Sequence, residues 1–265
     1  IPSSLIEIKE GWCCSIRKLT NIMVMENNPY FKLYDNKFLL KKSSVEKENY
    51  DILVISRRDI ETAIIPDFIE IISSHSFENC SKLSRIEFSP NSKLRIIDKC
   101  AFSNSSIKSI SIPTTVTQIC EQALLYCRKL KRVEIPQNSE LQQIKYQVFS
   151  MTLIESISIP ASVTQIDRDA FSMCRNLQRI DFSQDSKLQI INEYTFDSSS
   201  IVSISIPSSV IKIKKNAFYN TLDLRILHID DNNNLQSISP DAFEMLYHFV
   251  TIILAPAGLL PKILK

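Results

Sequence analysis

The stretch from Ile154 to Leu177 reads IESISIPASVTQIDRDAFSMCRNL, and it holds the unit from which most of the chain is built. Ile157-Ser158-Ile159 alternates apolar and polar side chains, the signature of a short strand with one buried face. Pro160 ends that strand, because proline has no N–H to give to a ladder. Val163 and Ile166 pack a return path. Ala170-Phe171, Cys174 and Leu177 follow at offsets that place them on one side of a short helical turn.

The unit recurs on both sides of this stretch. Pro66, Pro113, Pro160 and Pro207 stand 47 residues apart. The same period relates Phe77, Leu124, Phe171 and Phe218; Phe102, Phe149, Phe196 and Phe243; Leu94, Leu141, Leu188 and Leu235; and Cys80, Cys127 and Cys174, with Thr221 in the fourth place. Each period contains two related halves. Their L/I-x-x-I-x-I/F segments begin at Ile60, Leu83, Ile107, Leu130, Ile154, Leu177, Ile201, Leu224 and Phe249, in steps of 23 to 25. Leu19–Val24 looks like an earlier copy, which makes ten, and Ile1-Pro2 like the tail of an eleventh. A coil of about 23 residues cannot close a core by itself, so its apolar side chains must be buried by stacking on neighbours. Each side chain so buried contributes roughly 1.5–3 kcal/mol. Ten strands at ~4.8 Å spacing give an arc on the order of 45 Å long.

The line L-x-x-I-x-I-P-x-x-V-x-x-I-x-x-x-A-F-x-x-C-x-x-L resembles the treponemal-type leucine-rich repeat of BspA-like proteins. The resemblance covers roughly residues 57–255, and residues 1–25 more weakly. With the period, it predicts an α/β fold: a right-handed leucine-rich-repeat solenoid of about ten 23–24-residue coils, with short parallel strands on the concave side and short helical turns. Residues 1–265 are read as one such domain. BspA-like proteins occur in mouth and gut bacteria and in mucosal parasitic protists. Many are cell-surface proteins implicated in adhesion to host cells, matrix proteins or other microbes. The resemblance therefore implies a non-enzymatic protein-binding module, at the cell surface or secreted, with a protein ligand on a host cell, in the matrix or on another microbe. An intracellular scaffold or adaptor, and so a cytoplasmic location, is the alternative.

From Leu19 to Ile60 the period is broken by an insertion at about residues 27–56. Tyr30 to Tyr34 alternates, Asp35-Asn36 can turn, Phe38-Leu39-Leu40 returns, and Ile52 to Ile55 is a third strand candidate. Similar hairpins interrupt repeats in BspA-like proteins. The insertion is either a structural widening of the solenoid or a recognition loop. Trp12 is expected in the phenylalanine slot of the first coil.

Composition removes several function classes. The 265 residues carry a net charge of +2, which gives no reason to expect nucleic acid as partner. Only Gly11 and Gly258 are glycine, so no phosphate-cradling loop can be written. No apolar run reaches the ~18–20 residues of a membrane span. The chain begins Ile1-Pro2 without a methionine, and we read it as a fragment of a longer protein or a processed form. The seven cysteines are an odd set, and those of the repeat, two coils apart, are too distant to bridge. They are expected to be buried free thiols. His75, His228 and His248 have no cysteine or histidine partner at a metal-ligand spacing, so no metal, cofactor or catalytic residue is expected. Asn79-Cys80-Ser81 and Asn104-Ser105-Ser106 are formal glycosylation sequons.

What remains is the polar side of the strands. Residues i and i+2 share a strand face, so two classes alternate. One presents Ser109/Ser111, Ser156/Ser158 and Ser203/Ser205. The other presents Arg85/Glu87, Arg132/Glu134 and Arg179/Asp181. The expected result is columns of arginine and acid with serine lanes between them, column members being ~9.6 Å apart. His228 falls in the acid column. These residues either pair to keep the surface soluble or recognise a polar protein ligand. Toward the ends the face turns apolar, at Met23 and Ile64 and at Ile226 and Ile253. The apolar residues 249–260 make an end-to-end dimer an option.

Overall fold

A computed structural model describes residues 1–229 and 233–246 and the backbone of one further strand, Ile252–Leu254. Among these residues the chain is a parallel β-solenoid of about eight coils. One wall holds the longer strands, from Thr62–Ile65 and Arg85–Phe88 to Ile226–Ile229 and Ile252–Leu254. They align residue on residue: Ser156 with Arg179, Ile157 with Ile180, Ser158 with Asp181, Ile159 with Phe182. The inward member of each rung, Ile110, Val133, Ile157, Ile180 and Ile204, is buried.

The V-x-x-I return path is itself a sheet. Eight two-residue strands, from Ile71–Ile72 to Ser237–Ile238, continue an 11-stranded sheet whose remaining members come from the insertion. Ile72, Ile97, Ile119, Ile144, Ile166, Ile191 and Ile213 line its buried side.

The third wall corrects the expected helical turns: there is no helix among the described residues. An α-helix needs every N–H to reach back four residues within its own segment. Here only every second one turns inward. Ala170, Ser172 and Cys174 donate to the carbonyls of Asp167, Asp169 and Phe171, three residues back. The intervening Asp169, Phe171 and Met173 donate to Glu193, Thr195 and Asp197 of the next coil, at 3.2, 2.9 and 2.7 Å. That alternation requires left-handed residues four apart, and Asp169 and Met173 have φ of 58° and 56°. The same pairs recur at His75 and Asn79, Cys100 and Asn104, Gln122 and Tyr126, Gln147 and Met151, Tyr194 and Ser198, and Asn216 and Asn220. None is glycine, and those that are neither Asn nor Asp are held at a backbone cost of roughly 1–2 kcal/mol that the inter-coil bonds and packing offset.

Inside this wall the two phenylalanine registers merge into one column. Phe38, Phe77 and Phe102 succeed each other at centroid distances of 5.9 and 5.0 Å. Leu124 interrupts, and Phe149, Phe171, Phe196, Phe218 and Phe243 resume at 5.0–5.8 Å. Phe38 of the insertion therefore takes the place ahead of Phe77. Trp12 does not join the column and is 43 % exposed. Beside the rings runs a buried column of small hydrogen-bonding side chains. Cys127 Sγ lies 3.1 Å from the Phe102 carbonyl, Cys174 Sγ 3.0 Å from that of Phe149, and Thr221 Oγ1 3.1 Å from that of Phe196. A threonine can replace a cysteine there because both put a donor at the same carbonyl.

The insertion adds β1 (Phe31–Tyr34), β2 (Phe38–Lys41) and β3 (Ile52–Ser56). They pair antiparallel in order, and β3 then runs parallel to Ile71–Ile72. The polar link between β2 and β3 is pinned by Asp51, whose buried carboxylate accepts from the Ser43 N–H at 2.8 Å and the Lys47 ammonium at 2.6 Å. Burial pushes that carboxyl up, but these bonds outweigh it and hold its pKa below the ordinary carboxylate value. Leu19–Val24 forms no strand, which leaves the expected count of ten one short. Its segment is held by Arg58, whose buried guanidinium donates to the carbonyls of Ile16, Ser76 and His75. The proposed dimer end at 249–260, the side chain of Ile253 and His248 lie outside the described residues.

Two outcomes follow from this backbone. Met173→Gly relieves a left-handed residue at a half-exposed site, and urea unfolding should show a gain of about 0.5–1 kcal/mol; a loss would mean that the side chain outweighs the backbone strain. Asp51→Asn should cost about 1.5 kcal/mol at neutral pH. Because the folded-state pKa of Asp51 is depressed, its stabilisation is complete above the unfolded value of about 4 and fades as pH falls through the folded one. The gap between wild type and variant should therefore close in acid, and a pH-independent gap would be contrary to this assignment.

Candidate binding face

The longer-strand wall carries on its outer side the residues singled out from the pattern. Arg132 stands in register with Ser109 on one side and Ser156 on the other, and Arg179 with Ser156 and Ser203. His228 aligns with Ser205. Thr62 and Ile64 begin the face, in register with Arg85 and Glu87. The two remaining sequence candidates, Glu134 and Asp181, complete the acid column beside Ser111 and Ser158.

Each arginine meets the acid two positions on in its own strand. Arg85 pairs with Glu87, Arg132 with Glu134 at 3.9 Å, and Arg179 with Asp181 at 2.8 Å. Their arginine side chains are 72–75 % exposed, so such pairs contribute roughly 0–1 kcal/mol each to folding. The fold does not depend on them, and they can exchange an internal partner for an external one at little cost. The serine lanes between them are low, which leaves the charged rows accessible from both sides. At the early edge Ile64 is 66 % exposed, and Met23 of the N-terminal segment is 74 % exposed.

The seven cysteines are all free thiols, and only Cys14 is exposed. Burial pushes Cys127 up to about 11 and Cys174 up to about 12 and also raises Cys80, so these remain protonated packing groups rather than nucleophiles. His75 is the one histidine whose surroundings differ from the sequence expectation. Its Nδ1 lies 3.1 Å from Glu78 Oε2, and Cys14 of the N-terminal segment stands beside both. Sequence spacing could not reveal that grouping, since Cys14 is brought in across the fold.

The profile described as BspA type Leucine rich repeat region matches residues 55–178 and 170–258, in 6 copies. Solved structures with the same architecture include a leucine-rich repeat protein from Eubacterium ventriosum, with TM-score 0.71 and 21 % identity over 83 % of this chain and 57 % of its own. A leucine-rich repeat protein from Bacteroides ovatus has TM-score 0.56 and 20 % identity over 84 % of this chain and 70 % of its own. The pneumococcal vaccine antigen PcpA has TM-score 0.59 and 16 % identity over 85 % of this chain and 70 % of its own. At these identities the likeness is one of fold. Comparison with curated proteins finds no match. The chain therefore belongs to the BspA-type leucine-rich repeat family.

Proposed function

We propose that this chain is a non-enzymatic recognition module of a surface or secreted protein, and that it binds a protein ligand on the outer face of its longer-strand wall. The observation that carries the reading is the ruled spacing of that face. Arg85, Arg132 and Arg179, with their acids Glu87, Glu134 and Asp181, repeat on every second strand, at ~9.6 Å intervals, between Ser109, Ser156 and Ser203. Arginine suits this role because its planar fork clamps carboxylates in two-point contact. A strand-like or acidic segment of a partner laid across the strands would meet one arginine and one acid per two rungs, so matching charge order would select the partner. The likeness to a bacterial vaccine antigen accords with a surface location.

A second reading, an intracellular scaffold on the same repeats, is favoured by one observation: no two of the seven cysteines are paired. Labelling of intact cells with a membrane-impermeant reagent separates the two, since a scaffold would stay unlabelled.

The binding test uses the full chain against intact host epithelial cells and a panel of matrix proteins. Saturable binding is expected, falling more than about tenfold when Arg85, Arg132 and Arg179 are all changed to Glu. Circular dichroism and the melting temperature should be nearly unchanged, because exposed pairs contribute little to stability. Undiminished binding by a folded triple variant would remove this face from the proposal and leave the insertion as the place to look.

A further inference from the structure

Cys14, His75 and Glu78 converge on a point that no pattern in the chain announces. Their ligand atoms all lie within 4.8 Å of one another. Ser15 and Glu78 are 63 residues apart, yet the Ser15 N–H donates to Glu78 Oε2 at 2.9 Å. His75 Nδ1 lies 3.1 Å from the same oxygen, and both side chains are mostly buried, at 12 % and 15 % exposure. His75 has φ of 59° and Ser15 of 64°, so two left-handed residues present the group. The backbone under His75 is clamped by Arg58, which donates to its carbonyl at 2.9 Å.

We propose that these three side chains form a binding site for a divalent cation of the zinc class, and that the bound ion staples the N-terminal segment to the first coil. The donor set is one thiolate, one imidazole and one carboxylate, which together suit zinc among the common divalent ions. The nitrogen and oxygen are already placed for it, since tetrahedral zinc sets such donors about 3.3 Å apart. The thiol lies within 4.8 Å of both, so a shift of at most about 1 Å brings it to its bonding position, and Cys14 is exposed. Water would complete the fourth position.

The arrangement differs from a nucleophile relay. In a relay, carboxylate and thiol sit at opposite ends of the imidazole, and their atoms are separated by roughly 7–8 Å. Here sulfur and carboxylate oxygen lie on the same side, within 4.8 Å. Convergence on one point is what a cation requires. The site is independent of the binding face and would be unaffected if that reading failed.

The test uses the full chain, stripped with a chelator, and the metal alone. Titration with Co(II) should give one equivalent of binding with a thiolate-to-cobalt charge-transfer band. That band should disappear in Cys14→Ser, and the affinity should fall by more than about tenfold in Glu78→Gln. Zn(II) should displace the cobalt and raise the melting temperature of the wild type but not of Cys14→Ser. A measurement that needs no variant runs alongside: Cys14 is the only exposed thiol, and Zn(II) should slow its alkylation by at least about tenfold, read by peptide mapping. Absence of the charge-transfer band, its survival in Cys14→Ser, or alkylation of Cys14 that zinc leaves unchanged would each overturn the proposal.

Discussion

From Phe77 to Phe218, the backbone N–H of each phenylalanine in the core column is committed to another coil. Phe77 donates to Ala101, Phe102 to Ala123, Phe149 to Ala170, Phe171 to Thr195, Phe196 to Ala217 and Phe218 to Ala242. The rest of the fold depends on that commitment. A coil standing alone would leave these donors, and the polar edges of its two strands, without partners. It would also have to hold two left-handed non-glycine residues with nothing to compensate. Neighbouring coils remove both penalties together. The bonds set the stacking distance, the distance seats the rings, and the rings with the isoleucine columns exclude water from the bonds. Order in one coil is therefore conditional on order in the next, as expected for a quasi-one-dimensional fold.

The repeat, its half-period and the outward rows of Arg85, Arg132 and Arg179 were legible because they are periodic side-chain signals. The turn is ambiguous in the sequence for a definite reason. Offsets such as Phe171 to Cys174 to Leu177 fit a helix face as well as they fit a staggered turn, and the feature that decides between them is the sign of φ at Asp169 and Met173. Glycine would have marked those positions, but the chain places aspartate, methionine, tyrosine and serine there. Two-residue strands such as Gln165–Ile166 are too short for alternation to show, so the second sheet was invisible as a sheet although its isoleucines were correctly assigned to the core. That Trp12 is the one tryptophan says nothing of which aromatic reaches the column first. Phe38 does so because the hairpin delivers it there.

The outer face and the Cys14–His75–Glu78 group illustrate two ways in which a solenoid acquires chemistry. The face is written by repetition: a residue type at one rung position becomes a row, and its spacing is inherited from the sheet. The titratable group exists because repetition stops. At the N-terminal end the chain leaves the coil pattern, folds back as Ile1 to Met25, and lays a cysteine against residues that elsewhere in the left-handed column meet only their own kind. His75 occupies the same turn position as Cys100 and Gln122, and its neighbourhood differs because the N-terminal segment lies against it.

The stacking has a mechanical corollary. Tension applied along the chain enters from an end and is borne first by the terminal coil interface, since the backbone hydrogen bonds between the described coils join nearest neighbours. A solenoid of this kind pays out its length coil by coil, each release freeing about 23 residues, or roughly 75–80 Å of extended chain. A tether so built lengthens in quanta under shear, dissipating work at each step, while the coils that have not yet been reached keep their face intact.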